Sequence, residues 1–237
     1  MPRRPHRIRS LGLLDRRDNY LDMLRDTEGM VVRDPKIRPY RFTTIERTAM
    51  KVVSGIIVHQ TGAATEKSTF NSYRLANANG AHFLILKDGT IYQTASVFKR
   101  TNHVGPLRAR CLAEHRCIPS EIKTLKVATP TTTHRIEMQK IVPGRYPSNS
   151  DSIGIEIVGV ASLPPGVSMP PGLNEQQQRA FMGNRAVFEP LTSQQQASLR
   201  YLVDGLTKAL RIPSTEIHKH PDVSRKNATE AATASWQ

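Results

Sequence analysis

Apolar positions along the chain gather into a few short runs separated by long polar stretches, and the spacing inside each run predicts what it forms. Val52-Val53-Ser54-Gly55-Ile56-Ile57-Val58-His59 is rich in β-branched residues, which suits a buried strand, and it ends on a histidine. A helix is expected next, near residues 68–77. Residues 82–86 and 90–93 then flank Lys87-Asp88-Gly89. Asp-Gly between two strand-like runs predicts a hairpin, because glycine accepts the positive φ of a tight turn. Ser152-Ile153-Gly154-Ile155-Glu156-Ile157-Val158-Gly159 restores a strand in which the isoleucines alternate with Gly154, Glu156 and Val158. Glu156 therefore points away from the isoleucine face. A carboxylate in so apolar a strand calls for a purpose. Thr192 and Gln195 have capping-box spacing, and Leu199, Leu202, Val203, Leu206 and Leu210 follow at helical spacing, so one face of this helix covers a sheet.

The stretches between these elements set the expected organisation. Residues 1–48 are Arg-rich, with Tyr20, Leu21 and Leu24 spaced for a short helix over residues 18–25, and they read as an N-terminal extension. Residues 49–237 read as one domain carrying two insertions. The first, about 106–151, lacks periodicity and holds Pro119, Pro130, Pro143 and Pro147, as a long loop or small subdomain would. The second, about 161–190, is polar and proline-rich. Alternation of strands and helices predicts an α/β fold with a central mixed sheet flanked by helices.

Runs such as residues 153–160 are strand-sized and fall short of the roughly 18 apolar residues that a membrane span needs, so no transmembrane segment is expected. The apolar residues 11–14 behind the basic N-terminus are too few for a signal-peptide core, so an extracytoplasmic role would need another route of delivery.

Composition adds long polar loops, since only 38% of the 237 residues are hydrophobic and 5% aromatic. A net charge of +14 implies an anionic partner, which leaves nucleic acid, an anionic membrane face and an acidic cell-wall polymer open. With no C2H2 spacing and no RNP-like aromatic motif, nucleic acid is not the expected partner. Cys111 and Cys117 either close a short-loop disulfide in an oxidising compartment or stay two isolated thiols. Cys-x3-His-x-Cys, with His115 between them, does not match the usual structural zinc spacings.

The candidate chemistry lies in a combination: His59 at a strand end, Glu156 inside a later strand, and Glu216-Ile217-His218-Lys219-His220-Pro221-Asp222-Val223 after the long helix. Ile57-Val58-His59-Gln60-Thr61, Ala81-His82-Phe83, Asn102-His103-Val104-Gly105, the strand around Glu156, and His220-Pro221-Asp222-Val223-Ser224 occur in this order. From about residue 52 to 230 this order resembles the zinc N-acetylmuramoyl-L-alanine amidases, the family that also contains bacteriophage T7 lysozyme and the peptidoglycan recognition proteins.

The resemblance implies a zinc site in a surface groove, with His59 and His220 as ligands and Glu156 as the general base that activates the attacking water. One branch of the family takes its third ligand from a cysteine, where this chain has Ala228. The other uses an aspartate, where this chain has Glu230, and a glutamate oxygen also binds zinc after a small backbone adjustment. Glu230 is favoured over His218 or Asp222. The branch that relies on a tyrosine before the His-Phe pair is ruled out by Ala81, while His82 reads as a packed core histidine. His103 matches a residue that lines the substrate groove. Lys226 is a candidate for oxyanion support if the loop path differs from the family's. The implied reaction is hydrolysis of the amide between N-acetylmuramic acid and L-alanine in peptidoglycan or muropeptides, with a non-catalytic peptidoglycan-binding module as the alternative. Endolysin, recycling enzyme and injected toxin all remain open as roles; a lytic enzyme acting on the wall, in the periplasm or secreted, is preferred, and delivery against rivals implies a delivery or immunity protein.

Overall fold

The structure is a computed structural model that describes residues 27–237; the helix expected over residues 18–25 lies outside them. Nine strands and seven α-helices are found among the described residues: β1 (Ile37–Pro39), β2 (Glu46–Ala49), β3 (Gly55–Gly62), α1 (Glu66–Tyr73), β4 (Phe83–Ile85), β5 (Ile91–Gln93), β6 (Lys99–Thr101), α2 (Arg110–Ala113), α3 (Pro119–Val127), α4 (Pro130–Glu137), β7 (Ser152–Ser162), α5 (Glu175–Arg185), β8 (Val187–Phe188), α6 (Ser193–Leu210), β9 (Ile217–Lys219) and α7 (His220–Val223). The main sheet runs β1-β5-β4-β7-β3-β9, with β8 pairing to β7 and a separate β2-β6 ribbon. The β1-β5, β4-β7, β7-β3 and β3-β9 pairs are parallel and β4-β5 is antiparallel, so this is the expected mixed α/β sheet.

Alternation along β3 and β7 separates the two faces of the sheet. Ile56, Val58, Ile153, Ile155 and Ile157 join Phe83, Ile85 and Ile91 in the main core, which Leu199, Leu202, Val203 and Leu206 of α6 cover. Burying such a side chain contributes about 1.5–3 kcal/mol, which makes this face the main source of stability. The capping box opens α6 as its spacing predicts: Gln195 N donates to Thr192 Oγ1 at 3.1 Å and Thr192 N donates to Gln195 Oε1 at 3.0 Å. Thr192 Oγ1 also donates to Lys87 O and Ser198 Oγ to Gly89 O, fastening the helix to the predicted hairpin, where Gly89 has φ 83°.

The opposite face carries Gly154 and Glu156 beside His59, and there the aromatic cluster of Phe42, Phe70 and Tyr73 packs on Leu84 and Val158. The segment before residue 49 joins this architecture, since β1 adds an edge strand and Ile37 and Ile45 are buried. Residues 106–151 fold into α2, α3 and α4, short helices of which the last two are started by Pro119 and Pro130 at their first positions, and all are too brief to leave a periodic signal. A Cys111–Cys117 disulfide closes the first of these turns, which takes both sulfurs out of any metal site. The other polar stretch contains α5 and β8. No helix among the described residues is long and apolar enough to cross a membrane.

Candidate active site

Parallel pairing of β3 with β7 sets His59 directly opposite Glu156, and β9, on the other side of β3, delivers His220 at the start of α7. His59 Nδ1 lies 2.9 Å from His220 Nδ1, His220 Nδ1 lies 2.9 Å from Glu230 Oε1, and His59 Nδ1 lies 3.6 Å from the same oxygen. All three residues are buried. Glu230 reaches the histidines from the C-terminal segment, where its N–H donates to Asn227 O and the next residue, Ala231, takes a left-handed φ of 53°. That turn directs the Glu230 carboxylate towards the two histidines. Ala231 N–H donates to Gln60 Oε1, and Gln60 Nε2 donates to Glu189 O, so the residue beside His59 holds the turn in place.

Two imidazole nitrogens and one carboxylate oxygen at these separations fit zinc, whose tetrahedral bonds of about 2.1 Å place donors roughly 3.4 Å apart and leave a fourth position. Beside this donor set, Glu156 Oε2 is buried without a hydrogen bond among the described residues, a carboxylate oxygen left free next to the candidate metal position. The rival ligands lie elsewhere. His218 Nε2 is 3.4 Å from Glu216 Oε2 and its ring packs edge-on against Tyr146, while Asp222 accepts from Lys219 N at the start of α7.

The electrostatics sort the acids and bases. Burial pushes Glu156 up to about 8, with the Glu230 carboxylate adding to the rise and Lys226 opposing it. Burial would raise Glu230 too, but the hydrogen bond to His220, with the His59 ring beside it, outweighs burial and holds that carboxyl at about 2. His59 is lowered to about 4, first by burial and then by His220. One carboxyl is thus kept as an anion against two imidazoles, and the other is poised to exchange a proton near neutral pH.

These groups line a cavity of about 520 Å³ whose other walls include Thr61, Ser68, Thr69, Asn79 and Asn102. Lys226 is exposed and lines the same cavity. Tyr73 of α1 does so as well: its hydroxyl accepts from Ala81 N at 3.1 Å, so a phenol reaches this neighbourhood from a different element than the family pattern supplies. His82 is a satisfied core histidine, accepting from Gly154 N at Nδ1 and meeting Lys99 O at Nε2. His103 lies on the cavity wall with its Nδ1 3.0 Å from His59 Nε2.

The sequence model of the N-acetylmuramoyl-L-alanine amidase family matches residues 49–231, a span that takes in every one of these side chains. The chain belongs to that family. Among solved structures, the endolysin N-acetylmuramoyl-L-alanine amidase LysCS of Clostridium intestinale is 20% identical, with 81% of this chain and 84% of that chain covered and a TM-score of 0.42. AmpDh3 of Pseudomonas aeruginosa, solved in complex with an anhydromuramic pentapeptide, is 18% identical over 75% of this chain and 55% of its own, with a TM-score of 0.44. Among curated proteins, 30 residues are 87% identical to a probable D-serine dehydratase of Paracidovorax citrulli, covering 13% of this chain and 7% of the dehydratase. That overlap is too short to carry a fold or an activity. The family model, which spans most of the chain, assigns the amidase.

Proposed function

We propose that the chain is a zinc-dependent N-acetylmuramoyl-L-alanine amidase that cuts the amide between the lactyl group of N-acetylmuramic acid and the L-alanine of the stem peptide. The observation that carries this reading is the His59, His220, Glu230 donor set beside the unpartnered carboxylate of Glu156 in one cavity. His59, His220 and Glu230 would hold the ion, which supplies Lewis-acid polarisation of the scissile carbonyl when bound. Glu156 takes a proton from the attacking water and passes it to the leaving amine, a role suited to a buried carboxylate whose Oε2 is unpartnered in the cavity beside the donor set. Lys226 brings a positive charge to the oxyanion that develops on the carbonyl oxygen. The hydroxyl and amide groups along the cavity hydrogen-bond sugar and peptide.

The substrate places the site of action at the cell wall, in the periplasm or outside the cell, and the Cys111–Cys117 disulfide agrees with an oxidising compartment. A delivered lytic role is consistent with the +14 charge, which draws the protein to an anionic polymer. Mass spectrometry of sacculi after digestion tests the reading. Wild-type protein is expected to release peptides that begin with L-alanine, and Glu156→Ala to lose about 10²–10⁴-fold in rate while keeping its zinc. A protein that binds sacculi, takes up no zinc and releases no peptide would instead be a non-catalytic wall-binding module.

A further inference from the structure

His103 has no ring nitrogen to spare for a substrate. Its Nδ1 meets His59 Nε2 at 3.0 Å, and its Nε2 meets Ser152 Oγ at 3.2 Å and Ser152 O at 3.4 Å. The proton positions along this chain follow from one fixed point. Ser152 Oγ has a single hydrogen, and it is directed to Ser148 O at 2.6 Å. Towards His103 the hydroxyl can therefore only accept, as can the carbonyl beside it, so Nε2 of His103 carries the hydrogen. In the neutral ring Nδ1 is then a lone pair, and the contact with His59 is a hydrogen bond donated by His59 Nε2. His59 is left with its own lone pair on Nδ1, the atom that faces His220 Nδ1 and Glu230 Oε1.

The ring of His103 is built into place. Its backbone N–H and that of Val104 both donate to Asn149 Oδ1, at 2.9 and 2.7 Å, and Asn149 Nδ2 donates back to Val104 O. The imidazole also lies against Gly154 of β7, where a Cβ would stand 2.8 Å from both Cγ and Nδ1 of the ring. Only glycine admits a ring that close to the strand.

We propose that His103 is a positioning residue of the metal site: anchored by Ser148, Ser152, Asn149 and Gly154, it selects the His59 tautomer whose Nδ1 is free to ligate. This rests on the reading of His59 as a ligand, and it replaces substrate contact as the work of His103. Partners that orient a ligating imidazole through its second nitrogen are commonly carboxylates or carbonyls; here a second imidazole fills that place.

Two measurements that do not involve hydrolysis test it. In metal-free wild-type protein, ¹⁵N NMR of the histidine side chains should find His59 protonated at Nε2, and His103→Ala should turn it into a mixture of tautomers. Zinc affinity, read by chelator competition, should fall about 10–100-fold in His103→Ala. His103→Asn, whose Oδ1 can accept where the imidazole Nδ1 did, should recover to within about threefold of wild type. Protonation of His59 at Nδ1 in the metal-free wild type would overturn the proposal, and so would a loss of less than about threefold in His103→Ala, given the usual cost of removing such a partner. The tautomer is measured on the wild type and needs no variant to fold. If zinc binding and the tautomer behave as expected but sacculi stay intact, the amidase reading fails and the role of His103 stands.

Discussion

Glu156 and Glu230 face each other across the same cavity with opposite shifts, and the pair makes a prediction about pH. A carboxyl held at about 8 in the fold and 4.5 when solvated favours the protonated native state; that advantage is complete below about pH 4.5 and is lost as the pH climbs to about 8. Glu156→Gln removes the dependence and leaves Glu230 as it was. In metal-free protein the melting temperature of Glu156→Gln should match wild type near pH 4.5 and exceed it by about 10 °C near pH 8.5. A difference that stays constant across that range would show Glu156 to be solvated. These two acids, with His59 and His220, are legible in the sequence because each sits within a recognisable segment or at a fixed distance from one. Ser152, Asn149 and Tyr73 are not. Asn149 and Ser152 act on His103 across more than forty residues, and Tyr73 supplies from α1 a hydroxyl that the family pattern would draw from position 81.

β3, β7 and α6 are long enough for a pattern to accumulate and the hairpin is announced by its Asp-Gly turn, so these can be read from the sequence; α2, α3, α4 and α7 are too short to give a repeat to detect. What the short elements do is clearest at Arg110. From α2 its guanidinium makes a buried, two-pronged ion pair with Glu216, at 2.7 and 3.1 Å, just ahead of the strand that delivers His220. Arg108 N–H donates to Val223 O and Ser224 Oγ donates to Pro106 O, so the start of the first insertion also grips the loop that follows His220. Arg110→Ala strands a buried carboxylate, which typically costs about 3–5 kcal/mol. The expected result is a melting temperature lower by about 10 °C, with most of the loss recovered in Arg110→Met combined with Glu216→Leu, because the apolar pair leaves no buried charge. Calorimetry of the three proteins checks it. Failure of the double variant to recover would mean that the bonds of Arg110 to Glu114 and Arg145 O, or of Glu216 to His218, outweigh the ion pair between them.

At the scale of the molecule, one sheet divides labour: its isoleucine face and α6 supply the larger core, while the other face sets imidazoles and carboxylates beside a smaller aromatic cluster. The disulfide belongs to neither. It closes a loop with a sequence separation of 6, for which chain entropy gives about 2 kcal/mol. Mild reduction should therefore lower the melting temperature by a few degrees and leave zinc affinity within about twofold, since the cysteines lie outside the ligand set. A collapse of zinc binding on reduction would mean that α2 transmits more to His220 than the Arg110 ion pair alone. The Asn149 clamp carries a wider consequence. The chain departs after Gly105 and returns at Asn149, and the two margins are stitched together by three hydrogen bonds of a single side chain. Such a junction is a socket: the length and identity of what is plugged between its rims can change at little entropic cost. A segment of another length between the rims would leave the Asn149 clamp on His103 intact, provided that the contacts Leu107, Arg108 and Arg110 make with residues 216–224 are kept or replaced.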